Sequence, residues 1–242
     1  MAVEALGIGR IGASGLIKVC GLREPEHAVA AAQAGADLLG FVFAPARRQV
    51  SAKQAKRCID AARQAIGAER SLLSVGVFVD APATEIEETA SEAGFDLVQL
   101  HGSEAPGFPA GLSLPSIRAF KPRPAVALSE TAELIAPHFS TGRPPIALLI
   151  DGFHPTSTGG TGARADWSLA RAVSLRWPML LAGGLTPENV AEAIGSARPS
   201  GVDVSSGVER DGTKDPERIA AFVAAAKAAF EMLDVNAGSA ER

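Results

Sequence analysis

Two side chains that can take up or release a proton stand at the ends of otherwise apolar runs. Cys20 ends the run Leu16–Cys20, and Asp151 follows the wholly apolar run 146–150. A thiol acts as a base only as its thiolate, so a neighbouring cation such as Lys18 would have to lower a pKa of about 8.5. A carboxyl group in such a place suits a proton donor. Each residue also has a structural interpretation, since a free cysteine is commonly a small buried residue and an aspartate commonly caps a turn.

Three glycine-bearing turns provide the donors for an anion. They contain Gly160 and Gly162 within residues 159–162, Gly183 with Gly184, and Ser205 with Ser206 before Gly207. The backbone N–H groups of such turns and the serine hydroxyls can donate to one phosphate. One of these turns alone is usually only a tight turn. The three together, after late strands of the chain, predict a phosphate site.

The remaining chemistry-bearing residues are less informative. His101 ends a further apolar run and is a candidate for positioning substrate, although a hydrogen-bonded packing role fits it equally well. The sequence holds no H-E-x-x-H motif and no Cys/His cluster, so no metal site is expected. Gly7, Gly9 and Gly12 spell the dinucleotide motif G-x-G-x-x-G, which needs a strand before it and a helix directly after it. Only MAVEAL precedes these glycines and an apolar stretch follows, so we interpret them as part of a Gly-rich leader.

Eight short apolar runs alternate with longer Ala-rich segments in which charges recur at helical spacing. The runs cover residues 16–20, 38–43, 72–79, 96–101, 116–120, 146–151, 178–183 and 201–206. Apolar strands alternating with helices indicate a parallel sheet covered by helices, and eight units favour a closed (β/α)8 barrel over an open sheet. In such barrels the site lies at the C-terminal ends of the strands, where Cys20, Asp151 and the glycine turns fall. The fourth helix, over EAPGFPAGL, is expected to be weak.

We predict a single barrel domain over residues 16–233, with a flexible leader at 1–15 and a frayed tail at 234–242. Hydrophobic residues make up 47% of the 242-residue chain, and the net charge of −4 gives no reason to expect nucleic acid or an acidic membrane as partner. Two cysteines are too few for a secreted disulfide framework, so a reducing cytoplasm is the default location. No apolar run has the length of a membrane span. Whether the barrel is a monomer or a homodimer stays open.

The sequence resembles the phosphoribosylanthranilate isomerases of tryptophan biosynthesis from about Ile17 to Ala229. The motifs that carry the resemblance are KVCG (18–21), GADLLGFVF (35–43), VGVFV (75–79), LVQLHG (97–102), LLID with GGTG (148–151, 159–162), AGGLTPENV (182–190) and VDVSSGVE (202–209). The resemblance implies an Amadori rearrangement of a small phosphorylated substrate, N-(5-phosphoribosyl)anthranilate, with no cofactor. It also implies that Cys20 is the general base and Asp151 the general acid.

One part of the family pattern is altered in this chain. The loop after the second strand usually supplies an arginine for the anthranilate carboxylate within S-x-R-x-V, whereas this chain reads Ala46-Arg47-Arg48-Gln49-Val50. The spacing before Val50 favours Arg48, and Arg47 is the competitor. A planar guanidinium can hold a carboxylate by two parallel hydrogen bonds. Asp203, in VDVSS, belongs to the pattern as well, and its role is left open.

Three alternatives compete with this interpretation. A histidine-pathway ribonucleotide isomerase would carry an aspartate at the end of the first strand and phosphate loops in both halves, but Cys20 holds that place here. A sugar-phosphate binder without turnover is disfavoured by the presence of both Cys20 and Asp151. A Cys–His hydrolase using Cys20 and His101 lacks an evident group to orient the histidine.

Overall fold

Eight parallel strands close into a barrel in which β1 pairs with both β2 and β8. The computed structural model describes residues 15–68, 70–123, 128–152 and 165–240. The strands are β1 (Leu16–Cys20), β2 (Leu38–Val42), β3 (Leu73–Phe78), β4 (Leu97–Leu100), β5 (Ser116–Phe120), β6 (Ala147–Ile150), β7 (Met179–Leu181) and β8 (Gly201–Val204). Each strand lies within one of the eight predicted runs, so the (β/α)8 barrel is confirmed.

Helices surround the barrel and alternate with its strands. In the described part of the chain they are α1 (Pro25–Ala34), α2 (Ala52–Ile66), α3 (Ala83–Ala93), α4 (Leu128–Phe139), α5 (Trp167–Ser174), α6 (Val190–Ala197) and α7 (Pro216–Ala240). The segment predicted as a weak fourth helix forms a short 3₁₀ helix, Phe108–Gly111. Within the same ranges, no helix has both the length and the apolar character needed to cross a membrane.

The structure describes most of the predicted C-terminal tail but not the predicted N-terminal leader. Residues 1–14 of the predicted leader, with Gly7, Gly9 and Gly12, lie outside the described residues. At the other end α7 continues to Ala240, past the predicted end of the barrel at Leu233. Where a frayed tail was predicted from residue 234, the backbone is helical as far as Ala240.

Local signals in the sequence explain where several helices begin. Ser51 precedes α2, and its hydroxyl accepts a hydrogen bond from the backbone N–H of Gln54 at 3.2 Å. Asp166 precedes α5 and accepts from the N–H groups of Ser168 and Leu169. These contacts satisfy N–H groups that the first turn of a helix leaves without an internal partner.

The apolar core has two layers, one between the strands and the helices and one inside the barrel. The inner layer consists of Leu16, Leu38, Val75, Leu97, Ile117, Ala119, Leu149, Leu180 and Ala182. Because strand side chains alternate, every second residue of β1 points to the interior: Leu16 contributes to this layer, and Lys18 and Cys20 follow it toward the C-terminal end. The inner layer therefore forms the floor beneath the site.

We expect Leu180→Ala to destabilise the protein by about 2–5 kcal/mol, because Leu180 is 1% exposed and its loss leaves a cavity in the inner layer. The free energy of unfolding in urea measures the effect. Leu134→Ala is the matched control, since Leu134 is 66% exposed and its truncation should change stability by less than about 0.5 kcal/mol. Equal losses in the two variants would contradict the assignment of the barrel floor.

Candidate functional site

Cys20 lies inside the mouth of the barrel, with Lys18 directly below it on the same strand. Lys18 is fully buried and Cys20 is 7% exposed. Both side chains lie against Gly40 of β2: a Cβ atom built at this glycine would be 2.7 Å from Cys20 Sγ and 3.0 Å from Lys18 Nζ. Gly40 therefore leaves the space in which the thiol and the ammonium meet, and any side chain here would displace one of them.

The Lys18 ammonium is neutralised by Asp203, the residue whose role the sequence left open. Asp203 is the register partner of Lys18 where β8 closes on β1, and Lys18 Nζ donates to Asp203 Oδ1 at 3.0 Å. Although burial lowers it, Asp203 and Cys20 raise the pKa of Lys18 above its ordinary value. Lys18 therefore lies beneath the thiol as one half of an ion pair with Asp203.

The protonation of Cys20 departs from the sequence-based expectation. Burial raises the pKa of the Cys20 thiol, Lys18 and Lys214 act in the opposite direction, and the net pKa lies above the ordinary value. The neighbouring cation expected from the sequence is present, but it does not outweigh the removal of the sulfur from water. With nothing bound, the thiol is the dominant form at neutral pH.

A second lysine reaches Cys20 from above. After β8 the chain makes a short antiparallel hairpin, β9 (Glu209–Arg210) and β10 (Thr213–Lys214), which contacts the loop after β2 through Arg47 and Arg48. Lys214 Nζ donates to the carbonyl oxygen of Ser205 at 2.7 Å and lies 3.4 Å from Glu209 Oε1. Burial lowers the pKa of Lys214 to about 8. The Ser205 hydroxyl in turn donates to the carbonyl of Cys20 at 3.2 Å.

The two candidate arginines occupy different positions beside this hairpin. The Arg48 side chain is 12% exposed, and its Cδ lies 2.4 Å from the place of a Cβ on Gly21, the residue after Cys20. The Arg47 side chain is 54% exposed and donates to the carbonyl of Gly212. Both guanidinium groups bind the carboxylate of Glu209.

Asp151 lies on the opposite arc of the mouth, at the end of β6, together with His101 at the end of β4. His101 Nε2 is 3.6 Å from Asp151 Oδ2, and the two side chains are 10% and 14% exposed. Gln99 Nε2 lies 2.8 Å from His101 Nδ1. With Nδ1 accepting from this amide, a neutral imidazole carries its hydrogen on Nε2, the atom that faces Asp151. Asp151 Oδ1 accepts from the N–H of Gly152 at 2.8 Å.

Two cationic side chains, Lys121 and Arg118, act on the part of the mouth that holds Asp151 and His101. Burial lowers the pKa of Lys121, and the nearby Asp151 carboxylate opposes that shift. Arg118, on β5, donates to the carbonyls of Leu100 and Gly102 and to Glu104. These bonds fix the segment that carries His101, so the arginine acts on the site through the loop.

The glycine turns after β7 and β8 pack against each other at the mouth. A Cβ on Gly207 would lie 1.8 Å from the carbonyl oxygen of Leu185, so only glycine permits this approach. Gly183 and Gly184 both have positive φ values, 84° and 65°, and their N–H groups donate no hydrogen bond within the described residues. Ser206 begins a short 3₁₀ helix beside them. Gly160 and Gly162 lie outside the described residues.

Sequence reasoning missed several residues of the site. Among them are Gly40, Glu209 and Lys214. No pattern in the sequence around these residues predicts that they pack at the site. Glu209 does end the VDVSSGVE motif, so its place beside the serines was the one available indication. Within the described ranges, no group of three or more His, Cys, Asp or Glu side chains is arranged to hold a metal ion.

The arrangement provides a thiol and a carboxyl group at the mouth of one barrel, with cations beside them and N–H groups that have no acceptor among the described residues. Cys20 and Asp151 both sit at C-terminal strand ends, on β1 and β6, and two strands (β7 and β8) separate these along the closed order. A proton can therefore be delivered from one arc and removed on the other. The surroundings favour a substrate that carries negative charge.

Comparison with known proteins identifies relatives of this chain. A family model described as N-(5'phosphoribosyl)anthranilate (PRA) isomerase matches residues 17–225. The chain is 45% identical over 215 residues to the N-(5'-phosphoribosyl)anthranilate isomerase of Roseiflexus castenholzii, an alignment that covers 88% of this chain and 99% of the relative.

Solved structures agree with this similarity. The phosphoribosyl anthranilate isomerase of Thermotoga maritima superposes with a TM-score of 0.73 at 31% identity, covering 88% of this chain and 98% of that one. A phosphoribosyl anthranilate isomerase in complex with reduced 1-(o-carboxyphenylamino)-1-deoxyribulose 5-phosphate superposes with a TM-score of 0.70, also at 31% identity and with the same coverage.

We expect Lys18→Met to raise the pKa of Cys20 further, because the substitution removes the cation below the thiol and leaves Asp203 unpaired. A charge this close is worth about 1–3 pKa units. The pH dependence of alkylation by iodoacetamide, measured in a Cys58→Ser background, should shift to higher pH. Lys53→Met, on the exposed face of α2, is the control, and thermal unfolding verifies that both variants fold. An unchanged pH dependence, or a shift to lower pH, would show that Lys18 does not stabilise the thiolate.

Proposed function

Because the chain belongs to the N-(5'-phosphoribosyl)anthranilate isomerase family of tryptophan biosynthesis, we propose that Cys20 and Asp151 perform its Amadori rearrangement as general base and general acid. The substrate is N-(5'-phosphoribosyl)anthranilate and the product is 1-(2-carboxyphenylamino)-1-deoxyribulose 5-phosphate. The observation that carries the proposal is the position of one thiol and one carboxyl group at C-terminal strand ends around a single mouth.

Asp151 acts in the first step. Its carboxyl group donates a proton to the ring oxygen of the ribose while the bond from that oxygen to C1′ breaks. The nitrogen lone pair then forms a double bond to C1′, which gives a protonated Schiff base. His101 Nε2 lies 3.6 Å from Asp151 Oδ2, so the imidazole borders the carboxyl group and limits where it can turn.

Cys20 acts in the second step. Its thiolate removes the proton from C2′, and the electrons of that bond form C1′=C2′ while the nitrogen regains its lone pair. The resulting enolamine takes up a proton at C1′ and loses one from the C2′ hydroxyl, so the product is a ketone and the atoms balance. Proton transfers suffice for the whole sequence, and no cofactor is needed.

Lys18 and Lys214 support the thiolate during this step. Both cations lower the pKa of Cys20, one from below and one from the hairpin above. The cation below is held in place by Asp203 at 3.0 Å, so it does not have to reorganise when charge develops on sulfur.

The phosphate group fits the turns after β7 and β8. Gly183 and Gly184 present N–H groups that donate no hydrogen bond within the described residues, and Ser206 lies in the neighbouring turn. The Ser205 hydroxyl donates to the Cys20 carbonyl, so it would have to rotate to donate to the phosphate. Phosphate sites near the seventh and eighth strands are common in barrels of this kind. Gly160 and Gly162 remain part of the proposal on the strength of the sequence alone.

Arg48 is the better candidate for the anthranilate carboxylate. Its stem crosses Gly21 next to the base and is largely buried, whereas most of the Arg47 side chain lies in solvent. A buried guanidinium next to the reacting carbon can fix the aromatic amine relative to the sugar.

We expect Cys20→Ala and Asp151→Asn each to lower kcat by about 10²–10⁴-fold, since each removes a positioned acid or base. The substrate is formed in situ from anthranilate and ribose 5-phosphate, and the loss of its fluorescence measures turnover. Because burial raises the thiol pKa, wild-type kcat/KM should still increase with pH above neutrality.

The matched controls for this pair are Cys58→Ala in α2 and Asp60→Asn on its exposed face, both of which should keep wild-type kcat. Saturable binding of the substrate without turnover by the wild type would contradict the proposal in favour of a binder. A preference for an aminoimidazole ribonucleotide would favour a histidine-pathway isomerase.

We expect Arg48→Ala to lower kcat/KM by about 10-fold or more, because charge-assisted bonds to a carboxylate are worth roughly 1.5–3 kcal/mol. The main change should be in KM. Arg47→Ala, one residue away, should cost much less because this side chain is exposed. A larger effect at Arg47 than at Arg48 would reverse the assignment.

A further inference from the structure

We propose that Glu209 is a positioning residue that fixes the Arg48 guanidinium so that one of its edges faces the carboxylate of the substrate, and that it thereby makes the site selective for aromatic amines that carry a carboxylate. The inference rests on the proposed function of Arg48. It assigns to the hairpin after β8 a part in choosing the substrate.

The contact between Glu209 and Arg48 is a paired one. Arg48 Nε donates to Glu209 Oε1 at 2.6 Å, and Arg48 Nη2 donates to Glu209 Oε2 at 3.0 Å. The glutamate and arginine side chains are 8% and 12% exposed. Two short parallel bonds at low exposure hold the plane of a guanidinium far more firmly than one surface contact does.

The bonding pattern leaves a defined part of Arg48 available. Glu209 occupies the edge formed by Nε and Nη2, while Nη1 donates no hydrogen bond within the described residues. A guanidinium has five N–H donors, so the edge formed by Nη1 and the second hydrogen of Nη2 can still bind a carboxylate through two bonds. The stem of Arg48 is confined as well, because it lies against Gly21, whose φ is +74°.

Glu209 can perform this role because it stays ionised. Although burial raises it, the hydrogen bonds from Arg48 and Arg47 and the charge of Lys214 lower the pKa of Glu209 to about 2. Arg47 Nη2 lies 2.6 Å from Oε2, and Lys214 Nζ lies 3.4 Å from Oε1. The three cations fix the carboxylate from different sides, and it in turn fixes Arg48.

The opposite role, in which Glu209 competes with the substrate for Arg48, predicts effects of the opposite sign. A competitor would be displaced on binding, and its removal would lower KM. A positioning residue stays bound to Arg48, and its removal raises KM. The direction of the change therefore separates the two roles.

The test is Glu209→Gln, which keeps the shape of the side chain and removes its charge, assayed with two substrates. One is the anthranilate adduct, and the other is the adduct formed in the same way from aniline and ribose 5-phosphate, which lacks the carboxylate. We expect kcat/KM for the anthranilate adduct to fall about 10- to 100-fold, mainly through KM. The aniline adduct should change by less than about twofold, and Glu209→Asp should recover part of the loss.

Two further comparisons exclude a general structural effect. In an Arg48→Ala background Glu209→Gln should have no additional effect, since residues that act through one another are not additive. Glu217→Gln, the same change at an exposed position of α7, should leave both substrates unaffected.

Equal losses for the two substrates, a loss that persists without Arg48, or a lowered KM would each overturn the inference. An inactive wild type would instead overturn the proposed function. In that case the affinities of anthranilate and aniline for wild type and Glu209→Gln, followed by anthranilate fluorescence and by competition, still decide on Glu209. If Glu209→Gln then weakened the binding of anthranilate and aniline equally, the result would contradict the proposed role of Glu209.

Discussion

The ion pair between Lys18 and Asp203, inside the closed barrel, is the interaction on which the site depends. It lies where β8 meets β1, directly above the apolar floor and below Cys20. A buried ion pair is weak evidence for stability, because removing two charges from water costs about as much as their attraction returns. Apolar residues of the same volume would close the barrel at least as well. The pair therefore makes sense as electrostatics for the thiol, which is its neighbour in the direction of the mouth.

The same charges explain why the substrate should be anionic. On the Cys20 side of the mouth, four cations (Lys18, Arg47, Arg48 and Lys214) face two carboxylates (Asp203 and Glu209). This leaves two positive charges, and one remains when Cys20 is a thiolate. The carboxylate of the substrate adds one negative charge beside this surplus. A neutral sugar would leave the surplus positive charge of this partly buried site uncompensated.

The sequence predicted the scaffold, and the strand ends that lie at its mouth, better than it predicted the contacts between loops. The eight strands follow from short apolar runs, and a rule about barrel mouths is enough to single out Cys20 and Asp151. The roles of Glu209 and Lys214 depend on a hairpin of two-residue strands that contacts the loop after β2, and no periodic pattern marks such a short element. The continuation of α7 to Ala240 was also not predicted, because no helical pattern was recognised in the short segment after Leu233.

The choice between Arg47 and Arg48 shows most clearly what the fold adds to the sequence. The two residues are adjacent and chemically identical, so spacing alone gives only a preference. The backbone turns them in different directions, one across Gly21, the residue after Cys20, and the other outward to Gly212. Glu209 binds both, yet it can restrict only the arginine whose stem is already confined. The proposed selectivity for a carboxylate then rests on two constraints on one side chain, a glycine that admits it and a glutamate that orients it.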